Sequence, residues 1–510
     1  MDSRAAPGGM ARRTFLAASL SGIASVVLAS CTGPQPMPTP PPTTSGTATP
    51  SPTPTPTPPV EDVPRPTAMR RSRWGADPFA RGSFSFDAAG AAPELRETLA
   101  EPVGGRVFIT GEATDTDAPG SLHGARNSGL RTAATISDIA EPGERIAVIG
   151  AGLAGLTAAR ELVGHGFEVV VLEARDRIGG RIDTVEAGGF DEPIELGAMF
   201  VRGATLQAQF AEASVDLHPV APPTEARTPD GLAVAIPSTG PDAIATAQSW
   251  AATQSEARTR DLSLATAIVE SGTAASMSKT PDATGVSPAD WLAHTIASGV
   301  ATVTGATANR VSAFATLPGT RPAVDLPEVG SAPEGELATG IAAALEPYAA
   351  QLDIAVTSVV TRIVYDERRV SLRLDSGESL NVDRVVVTVP LGVLKTDTLR
   401  FSPSLPLLHQ RAIARLGVGL VDTVWLRFDS AFWRADDPGP GSSVEVLTVV
   451  GETPTVAAWV DAGGPDGEPV LVGLIAATQA RRLEALDDPE FEAAVLADLA
   501  PFAPGATATG

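Results

Sequence analysis

A β-strand, a glycine-rich turn and a helix follow one another without a gap in this chain, and that unit constrains the fold more than any other feature. Residues 145–149 form a β-branched run that predicts a buried parallel strand, and the motif Gly-Ala-Gly-Leu-Ala-Gly follows at 150–155. A helix is predicted over 153–164 and a second strand over 167–172. Glu173 ends that strand at close to the ~20-residue spacing expected for a ribose-binding acid. This order predicts an α/β, Rossmann-like dinucleotide-binding domain.

The three glycines have separate physical tasks in such a domain. Gly150 allows the tight turn, Gly152 lets the backbone approach a pyrophosphate, and Gly155 lets the helix pack on the strand. The N-terminus of the helix attracts phosphate groups, and Glu173 accepts hydrogen bonds from the ribose hydroxyls. These features predict a dinucleotide ligand, but they do not separate FAD from NAD.

The residues that begin with Glu173 favour FAD. The string Glu-Ala-Arg-Asp-Arg-Ile-Gly-Gly-Arg at 173–181 and the string Glu-Leu-Gly-Ala-Met-Phe-Val-Arg-Gly at 195–203 resemble two signatures of the flavin-containing amine oxidases. The resemblance implies arginines beside the pyrophosphate, where a planar guanidinium donates paired hydrogen bonds, and it places 196–201 along the isoalloxazine ring. The cofactor-binding residues that it implies in these strings are Arg175, Gly180, Arg181, Gly197, Ala198 and Met199.

Two later stretches also resemble this family. A hairpin is predicted from 359–363 and 370–374, and residues 384–394 predict a buried strand that runs into a loop. The string at 384–394 is typical of the family and is most similar to the polyamine oxidases and the lysine-specific histone demethylases. By the same resemblance, the backbone of Val360 contacts the adenine.

The segment 73–140 resembles the C-terminal stretch of the flavin-containing amine oxidases, although it precedes the glycine motif. The similar strings lie at 73–84, 108–114 and 119–125. Their position predicts a circularly permuted chain, which is physically allowed because the termini of a domain often lie close together. Residues 141–144 form the new join, and docking of the segment on a partner chain in a domain-swapped dimer is the alternative.

Within this segment the resemblance implies several contacts with the flavin. Glu112 follows a predicted strand at 106–109 and bonds the ribityl–pyrophosphate region, and a helix begins at Ser121. The positive end of that helix would stabilise a reduced flavin anion. The implied cofactor contacts are Trp74, Gly111, Glu112, Ser121 and Leu122, and His123 is an acid–base candidate by position alone.

Thr423 marks a departure from the family pattern. The family normally has a lysine at this position, which holds a water against flavin N5. A threonine hydroxyl can also hydrogen-bond water, but it has no charge. Phe84 stands where close relatives have tyrosine, and Trp459 aligns with an aromatic often found near the active site, with core packing as its alternative role. Thr423, Phe84 and Trp459 are the candidate catalytic residues.

The resemblance implies an FAD-dependent oxidase of an amine such as a polyamine. The implied reaction transfers a hydride from the amine α-carbon to flavin N5, the imine hydrolyses, and O2 reoxidises the flavin with release of H2O2. Thr423 leaves two alternatives open. One is a flavin-dependent oxidase or dehydrogenase of a non-amine substrate, and the other is a surface flavoprotein without catalysis.

The charge of the chain bears on its partners. A formal net charge of −23 argues against nucleic-acid binding, because that function needs basic patches. An acidic surface attracts cationic substrates, and solubility is the alternative reason for the charge. A small-molecule amine and O2 are the implied partners.

The first 31 residues predict an export signal. A twin-arginine pair, Arg12-Arg13, precedes an apolar run that is shorter than the ~20 residues needed to span a bilayer. The run ends at Cys31, the only cysteine, in a string that resembles a bacterial lipobox. The Pro- and Thr-rich residues 32–68 predict an extended stalk. The protein is thus predicted to be lipid-anchored on the outer face of a bacterial cell membrane, with a plain secretory signal as the alternative.

The rest of the chain divides between two interleaved domains. The Rossmann-like FAD-binding domain is predicted to take 69–140, 145–203 and 336–400. A discontinuous α+β substrate-binding domain is predicted to take 204–335 and 401–510.

Overall fold

A parallel sheet contains the strand before the glycine motif and positions most of the predicted site. The computed structural model describes residues 63–92, 94–201, 204–213, 215–220, 225–254, 261–315, 335–434, 446–464 and 467–503. The predicted signal and most of the predicted stalk lie outside the described residues.

The strands are mostly short. In chain order they are β1 (Ala68–Arg71), β2 (Phe84–Phe86), β3 (Val107–Ile109), β4 (Arg145–Ile149), β5 (Glu168–Leu172), β6 (Thr184–Val185), β7 (Ile194–Glu195), β8 (Phe200–Val201), β9 (Asp216–Val220), β10 (Glu225–Arg227), β11 (Ala233–Ala235), β12 (Gly335–Thr339), β13 (Asp353–Ala355), β14 (Val360–Tyr365), β15 (Val370–Leu374), β16 (Ser379–Val382), β17 (Arg384–Val387), β18 (Arg400–Ser402), β19 (Gly417–Gly419), β20 (Val421–Arg427), β21 (Val446–Leu447), β22 (Ala458–Asp461) and β23 (Val470–Ala476).

The helices range from single turns to five turns. In chain order they are α1 (Leu95–Ala100), α2 (Leu122–Ile139), α3 (Leu153–Gly164), α4 (Ala204–Glu212), α5 (Thr239–Gln254), α6 (Leu264–Glu270), α7 (Thr273–Ser276), α8 (Pro288–His294), α9 (Ala301–Thr304), α10 (Glu346–Ala349), α11 (Leu391–Leu394), α12 (Leu407–Arg415), α13 (Ala477–Glu484) and α14 (Asp488–Ala497). A π-helical stretch at Thr295–Val300 joins α8 to α9. Within the described residues no helix is both long and apolar enough to cross a membrane.

The parallel sheet has the strand order β13–β5–β4–β17–β3. Its central strands are apolar along their length because both faces of the sheet are covered. Ile146, Val148 and Val386 are fully buried and belong to one core cluster together with residues of α3. The edge position beside β17 is taken by β3, which precedes every other strand of this sheet along the chain.

The described residues before the glycine motif, 63–140, which we call the early segment, also complete two other sheets. β1 pairs with β20 in the sheet β1–β20–β23–β22–β21, and β2 pairs with β19. α2 packs along α3 so closely that a Cβ on Gly129 would lie 2.5 Å from the carbonyl oxygen of Ala154.

The connection from α2 to β4 is held by a buried guanidinium. Arg384, at the start of β17, donates from Nε to Glu144 Oε2 at 2.6 Å and from Nη2 to the carbonyl oxygen of Ile139 at 3.2 Å. It also donates to the carbonyl oxygen of Gly105. Burial would raise the pKa of Glu144, but hydrogen bonds from Arg384 and from the backbone of Glu141 hold it below its ordinary value. One side chain thereby fixes the predicted join against the sheet.

Most predicted elements are confirmed, some with the same bounds. The strand at 145–149 and the helix at 153–164 begin and end as predicted. The predicted hairpin is β14 paired with β15. The predicted stalk ends earlier than expected, because Val63 is buried in a core cluster and the backbone N–H of Thr67 donates to Arg427 at 2.7 Å. The last residues of 32–68 therefore pack on the folded body.

We expect Gly129→Ala to destabilise the protein by about 1–3 kcal/mol, because the added methyl would force α2 away from α3. Urea unfolding should show a lower midpoint with an unchanged slope. Gly164→Ala is the matched control, since nothing lies within 4 Å of a Cβ at that helical position. Equal midpoints for the two variants would contradict this account of the helix contact.

Candidate functional site

The glycine turn leaves one stretch of backbone open to a ligand. Gly150 has φ +108°, and a Cβ there would lie 2.5 Å from Thr388 Oγ1. A Cβ on Gly155 would lie 2.0 Å from the carbonyl oxygen of Gly150. At Gly152 the nearest atom would be 3.7 Å away, and Gly152 is the N-cap of α3, with no side-chain hydrogen bond to the helix end. Two glycines thus serve internal packing, whereas Gly152 exposes the helix N-terminus, which fits a pyrophosphate.

Glu173 lies at the carboxyl end of β5 and is buried. Its Oε2 accepts from the backbone N–H of Ala151 at 2.7 Å, and its Oε1 accepts from that of Arg175 at 2.8 Å. Its carbonyl oxygen accepts from the N–H of Ser358 at 2.7 Å, which brings the start of β14 and Val360 to the same edge of the sheet. The acid therefore organises the turn, and its ribose contact stays a prediction.

The two arginines predicted at the pyrophosphate both bond acids of the early segment. Arg175 donates to both oxygens of Asp77 at 2.8 and 3.0 Å. Arg181 donates to Glu112 at 2.9 Å and to the carbonyl oxygen of Ser83 at 2.8 Å. The sequence did not indicate these pairs, since it assigned the arginines to phosphate alone. They join the string at 173–181 to residues that lie 69 to 98 positions earlier.

Glu112 is buried at the edge of a cleft. Besides Arg181, it accepts from Ser85 Oγ at 2.6 Å and from the backbone N–H of Gly120 at 2.9 Å. Burial would raise the pKa of this carboxyl, but Arg181 and Ser85 hold it below its ordinary value. Glu112 is therefore an ionised acceptor. The cleft is lined by 109–114, Arg181 and 388–391, together with Leu99 and Leu394.

The N-terminus of α2 is close to this cleft. Gly111 has an open backbone, with nothing within 4 Å of a Cβ position, and its N–H donates to Ser128 Oγ at 3.1 Å. Ser121 caps α2 by accepting from the N–H of Gly124 at 3.0 Å. Leu122 packs on the core cluster of the parallel sheet. The predicted flavin contacts of Gly111, Ser121 and Leu122 stay predictions, as does the role of His123.

The carbonyl oxygen of Leu196 joins three distant parts of the chain. It accepts from Trp74 Nε1 at 2.8 Å and from Thr423 Oγ1 at 3.2 Å. The indole of Trp74 also lies against Gly197, where a Cβ would be 3.1 Å from the ring. The backbone N–H of Thr423 donates to Ser72 Oγ at 2.8 Å. The structure thus brings together the predicted residues Trp74, Gly197 and Thr423.

The string at 195–203 packs against the string at 173–181. The backbone N–H of Ala198 donates to the carbonyl oxygen of Arg181 at 3.0 Å. A Cβ on Gly197 would lie 2.0 Å from that same oxygen, so only glycine fits there. Met199 is buried, and Gly180 has φ +62° and lies against Gly152, the open glycine of the turn.

Trp459 and Thr423 lie on opposite faces of their sheet. Trp459 is the register partner of Gly473, which pairs with Val424. Side chains of adjacent residues leave a strand on opposite faces, so Trp459 lies across the sheet from Thr423 and packs in an apolar cluster. The placement favours core packing, the second of the two roles that the sequence left open. Phe84 is half-buried on β2, and a Cβ on Gly120, which precedes α2, would lie 3.5 Å from its ring.

Two acids that bond the backbone at Trp74 and Gly75, of which Asp422 is buried, were not predicted from the sequence. Asp422 Oδ1 accepts from the backbone N–H of Trp74 at 2.8 Å and from Ser72 Oγ at 3.0 Å. Glu484 Oε1 accepts from the N–H of Gly75 at 2.7 Å. Burial raises the pKa of Asp422 to about 7, and the nearby Glu484 carboxylate acts in the same direction. The signal that could have found the pair is a carboxylate inside the apolar strand Val-Asp-Thr-Val-Trp.

Glu195 is a second buried acid beside the site. It is fully buried, and its carboxylate accepts from Thr184 Oγ1 at 2.8 Å and from the backbone N–H of Ile341 at 2.9 Å. Burial raises its pKa to about 7. Its carbonyl oxygen accepts from Trp425 Nε1 at 2.7 Å. Glu195 therefore fixes the backbone immediately before Leu196.

We expect Asp422→Asn to flatten part of the pH dependence of stability. The folded protein retains a proton on Asp422 up to about pH 7, whereas an unfolded aspartate releases it near its ordinary pKa. The free energy of unfolding therefore falls as pH rises from about 4 to 7, by at most ~1.4 kcal/mol per pH unit from this group. Urea unfolding at several pH values should show a shallower fall for the variant. Asp429→Asn, exposed beyond the same strand, should keep the wild-type profile, and parallel profiles for wild type and Asp422→Asn would refute the assignment.

Comparison with known proteins bears on the family. The model for flavin containing amine oxidoreductases matches residues 54–137, 153–231 and 303–509. Polyamine oxidase 4 of Oryza sativa subsp. japonica is 28% identical over 392 residues, which cover 71% of this chain and 73% of that protein. Polyamine oxidase 2 of Arabidopsis thaliana is 28% identical over 369 residues, which cover 67% and 69%.

Solved structures show the same fold. Putrescine oxidase bound to putrescine has a TM-score of 0.53 at 20% identity and covers 71% of this chain and 82% of that chain. Cyclohexylamine oxidase from Brevibacterium oxydans has a TM-score of 0.52 at 23% identity and covers 72% and 83%. The family match takes in more than half of the chain, including 173–181, 195–203 and Thr423. The chain therefore belongs to the flavin-containing amine oxidase family and is an FAD-dependent oxidoreductase.

Proposed function

We propose that the protein oxidises a small cationic amine, such as a polyamine, at the face of the site bounded by Trp74 and Thr423. The convergence of both side chains on the Leu196 carbonyl supports this proposal most directly, because the string around Leu196 is the one expected along the flavin ring. The names of the similar proteins include polyamine and putrescine oxidases. The net charge of −23 favours the approach of a cation.

The residues of the chain would hold the cofactor in three regions. The open N-terminus of α3 and Arg181 would bind the pyrophosphate, Glu173 and Val360 would face the adenosine, and Glu112 would face the ribityl chain. When bound, FAD supplies the two-electron acceptor for the α-carbon hydride of the amine, and O2 regenerates it with release of H2O2. The imine that leaves the site hydrolyses to a carbonyl compound.

The protein's own contribution is orientation and exclusion of water. Asp422 and Glu484 fix the backbone from Trp74 to Ala76, and Glu195 fixes the strand before Leu196. Thr423 is buried and offers a hydroxyl without charge. Such a hydroxyl can hold a water, but it cannot stabilise negative charge as an ammonium group does. A non-amine donor is the second candidate, and the uncharged Thr423 is the observation that favours it.

We also propose that the chain is a circular permutation of its family. β3 and α2 precede β4 in the sequence but lie beyond β17 and against α3 in the fold. The join between α2 and β4 is short and is held by Arg384. A chain reordered so that 63–140 follows residue 503 should fold and bind flavin if this proposal is right.

Export and anchoring remain a separate proposal, which depends on the sequence alone. The twin-arginine pair and Cys31 lie outside the described residues. Acylation of Cys31 would tether the enzyme at the outer face of the cell membrane. Fatty-acid labelling that persists after Cys31→Ser would rule this out.

The activity is tested by anaerobic titration of the purified yellow protein with di- and polyamines, followed by admission of air. We expect an amine to bleach the oxidised-flavin absorbance, and air to restore it with formation of H2O2. Bleaching by another donor without peroxide would support the non-amine alternative. Retained absorbance with every donor would support a flavoprotein without catalysis.

Thr423→Lys should raise the rate of turnover or of flavin reoxidation, because it restores the charge that the family has at this position. The two half-reactions should be measured separately by stopped-flow absorbance. Thr423→Met is the matched control, since it adds similar bulk without charge. No gain from lysine over methionine would mean that this position does not limit the reaction.

A further inference from the structure

A buried guanidinium lies close to Glu112, the acid at the edge of the cleft. Arg96, on the short helix α1, is only 3% exposed. Its Nε donates to Asp87 Oδ1 at 2.9 Å. Its Nη1 donates to Ser85 Oγ at 2.8 Å and to the carbonyl oxygen of Ala113 at 3.0 Å. A buried charge is costly unless it is paired and hydrogen-bonded, so these three partners fix where the charge lies.

The hydroxyl group of Ser85 joins this guanidinium to Glu112. Its oxygen accepts from Arg96 Nη1, and the same hydroxyl donates to Glu112 Oε2 at 2.6 Å. A serine hydroxyl has one proton to donate. Because an N–H of Arg96 points at the oxygen, the serine proton is directed to the carboxylate. The backbone N–H of Ser85 faces the same carboxylate, at 3.2 Å from Oε1.

The charge of Arg96 acts on the same carboxylate. Burial would raise the pKa of Glu112, but Arg181 and Ser85 lower it. The charge of Arg96 adds to that lowering. Arg181 lines the cleft together with Glu112, whereas Arg96 reaches the cleft wall through Ser85 and the carbonyl oxygen of Ala113. The carboxylate is therefore held by one arginine directly and by a second arginine through a polarised hydroxyl group.

We propose that Arg96 is a positioning residue for FAD, which acts through Ser85 to hold the Glu112 carboxylate in place as an acceptor for the cofactor. This inference rests on the proposed placement of Glu112 at the ribityl chain. The hydroxyl groups of that chain are donors, and hydrogen bonds to an ionised acceptor are stronger than those to a neutral one. Loss of Arg96 would let the Ser85 proton turn away from the carboxylate, and the cofactor would be held less tightly.

The test measures the release of FAD from the full-chain holoenzyme, followed by the rise in flavin fluorescence on dilution. Arg96→Met keeps an unbranched apolar side chain but removes the charge and the donors. We expect a dissociation constant for FAD about tenfold higher than that of wild type, as for the loss of one hydrogen bond to a charged group. Ser85→Ala should have a similar effect. The double variant should also bind about tenfold more weakly, because Arg96 acts through Ser85, whereas independent roles would give about 100-fold.

The pH profile of FAD binding is a readout that a loss of stability alone would not change. Without Arg96 the pKa of Glu112 is higher, so a larger share of the carboxylate is protonated in mild acid. The dissociation constant of Arg96→Met should therefore rise more steeply than that of wild type as the pH falls from about 7 to about 5. Arg96→Lys keeps a charge but cannot bond Asp87 and Ser85 with one fork, so its constant should be intermediate. Should Arg96→Met fail to fold, Arg96→Lys takes its place in the double variant and in the pH profile.

The matched control is Arg434→Met, since Arg434 is a mostly buried arginine that pairs with Asp461 of β22 at 2.6 Å. It should lower stability but leave FAD binding and its pH profile as in wild type. An unchanged dissociation constant for Arg96→Met, additive losses in the double variant, or parallel pH profiles for Arg96→Met and wild type would overturn the proposal.

Glu112→Gln separates this proposal from the placement on which it rests. Weak FAD binding by Glu112→Gln together with normal binding by Arg96→Met would overturn the role of Arg96 alone. Normal FAD binding by Glu112→Gln would overturn the placement of Glu112 at the cofactor, and the role of Arg96 with it.

Discussion

The parallel pairing of β3 with β17 is the contact on which the site depends. Residues Val385–Val387 of β17 pair with β4 on one side, and β3 pairs with them on the other. The same pairing places Gly111 and Glu112 at the carboxyl edge of the sheet, beside the end of β17. The glycine turn ends β4 at that same edge. Because β3 precedes β4 in the chain, this edge is assembled from residues that are far apart in the sequence.

Ion pairs and hydrogen bonds then fix the early segment onto the cofactor strings. Three contacts each join a residue of the early segment to a residue of the strings after the glycine turn. They are Asp77 with Arg175, Glu112 with Arg181, and Trp74 with the carbonyl oxygen of Leu196. Glu112 is buried, so loss of Arg181 alone would leave a buried carboxylate without its partner, which is costly. Asp422, Glu484 and Glu195 add hydrogen bonds from backbone N–H groups around these contacts.

Local sequence patterns predicted much of this structure. The apolar run at 145–149, the glycines after it and the helix at 153–164 form a unit whose geometry depends on neighbours in the sequence, so its bounds were predicted correctly. The hairpin of β14 and β15 is local in the same sense. Asp77, Asp422 and Glu484 were not predicted as site residues, because nothing in their immediate sequence shows which backbone groups or arginines they will meet. Trp459 shows the same limit, since strand alternation alone does not say which face of β22 borders the site.

The sequence by itself determined the cofactor class, the family and the order of the secondary-structure elements, because each of these depends on short strings with fixed spacing. Only the tertiary structure decided that Arg175 and Arg181 bond acids of the early segment, that Thr423 meets Trp74 at one carbonyl oxygen, and that Ser85 joins Arg96 to Glu112. The physical reason is that register and packing between distant segments set these contacts. A pairing shift of one residue would turn each side chain to the other face of its sheet.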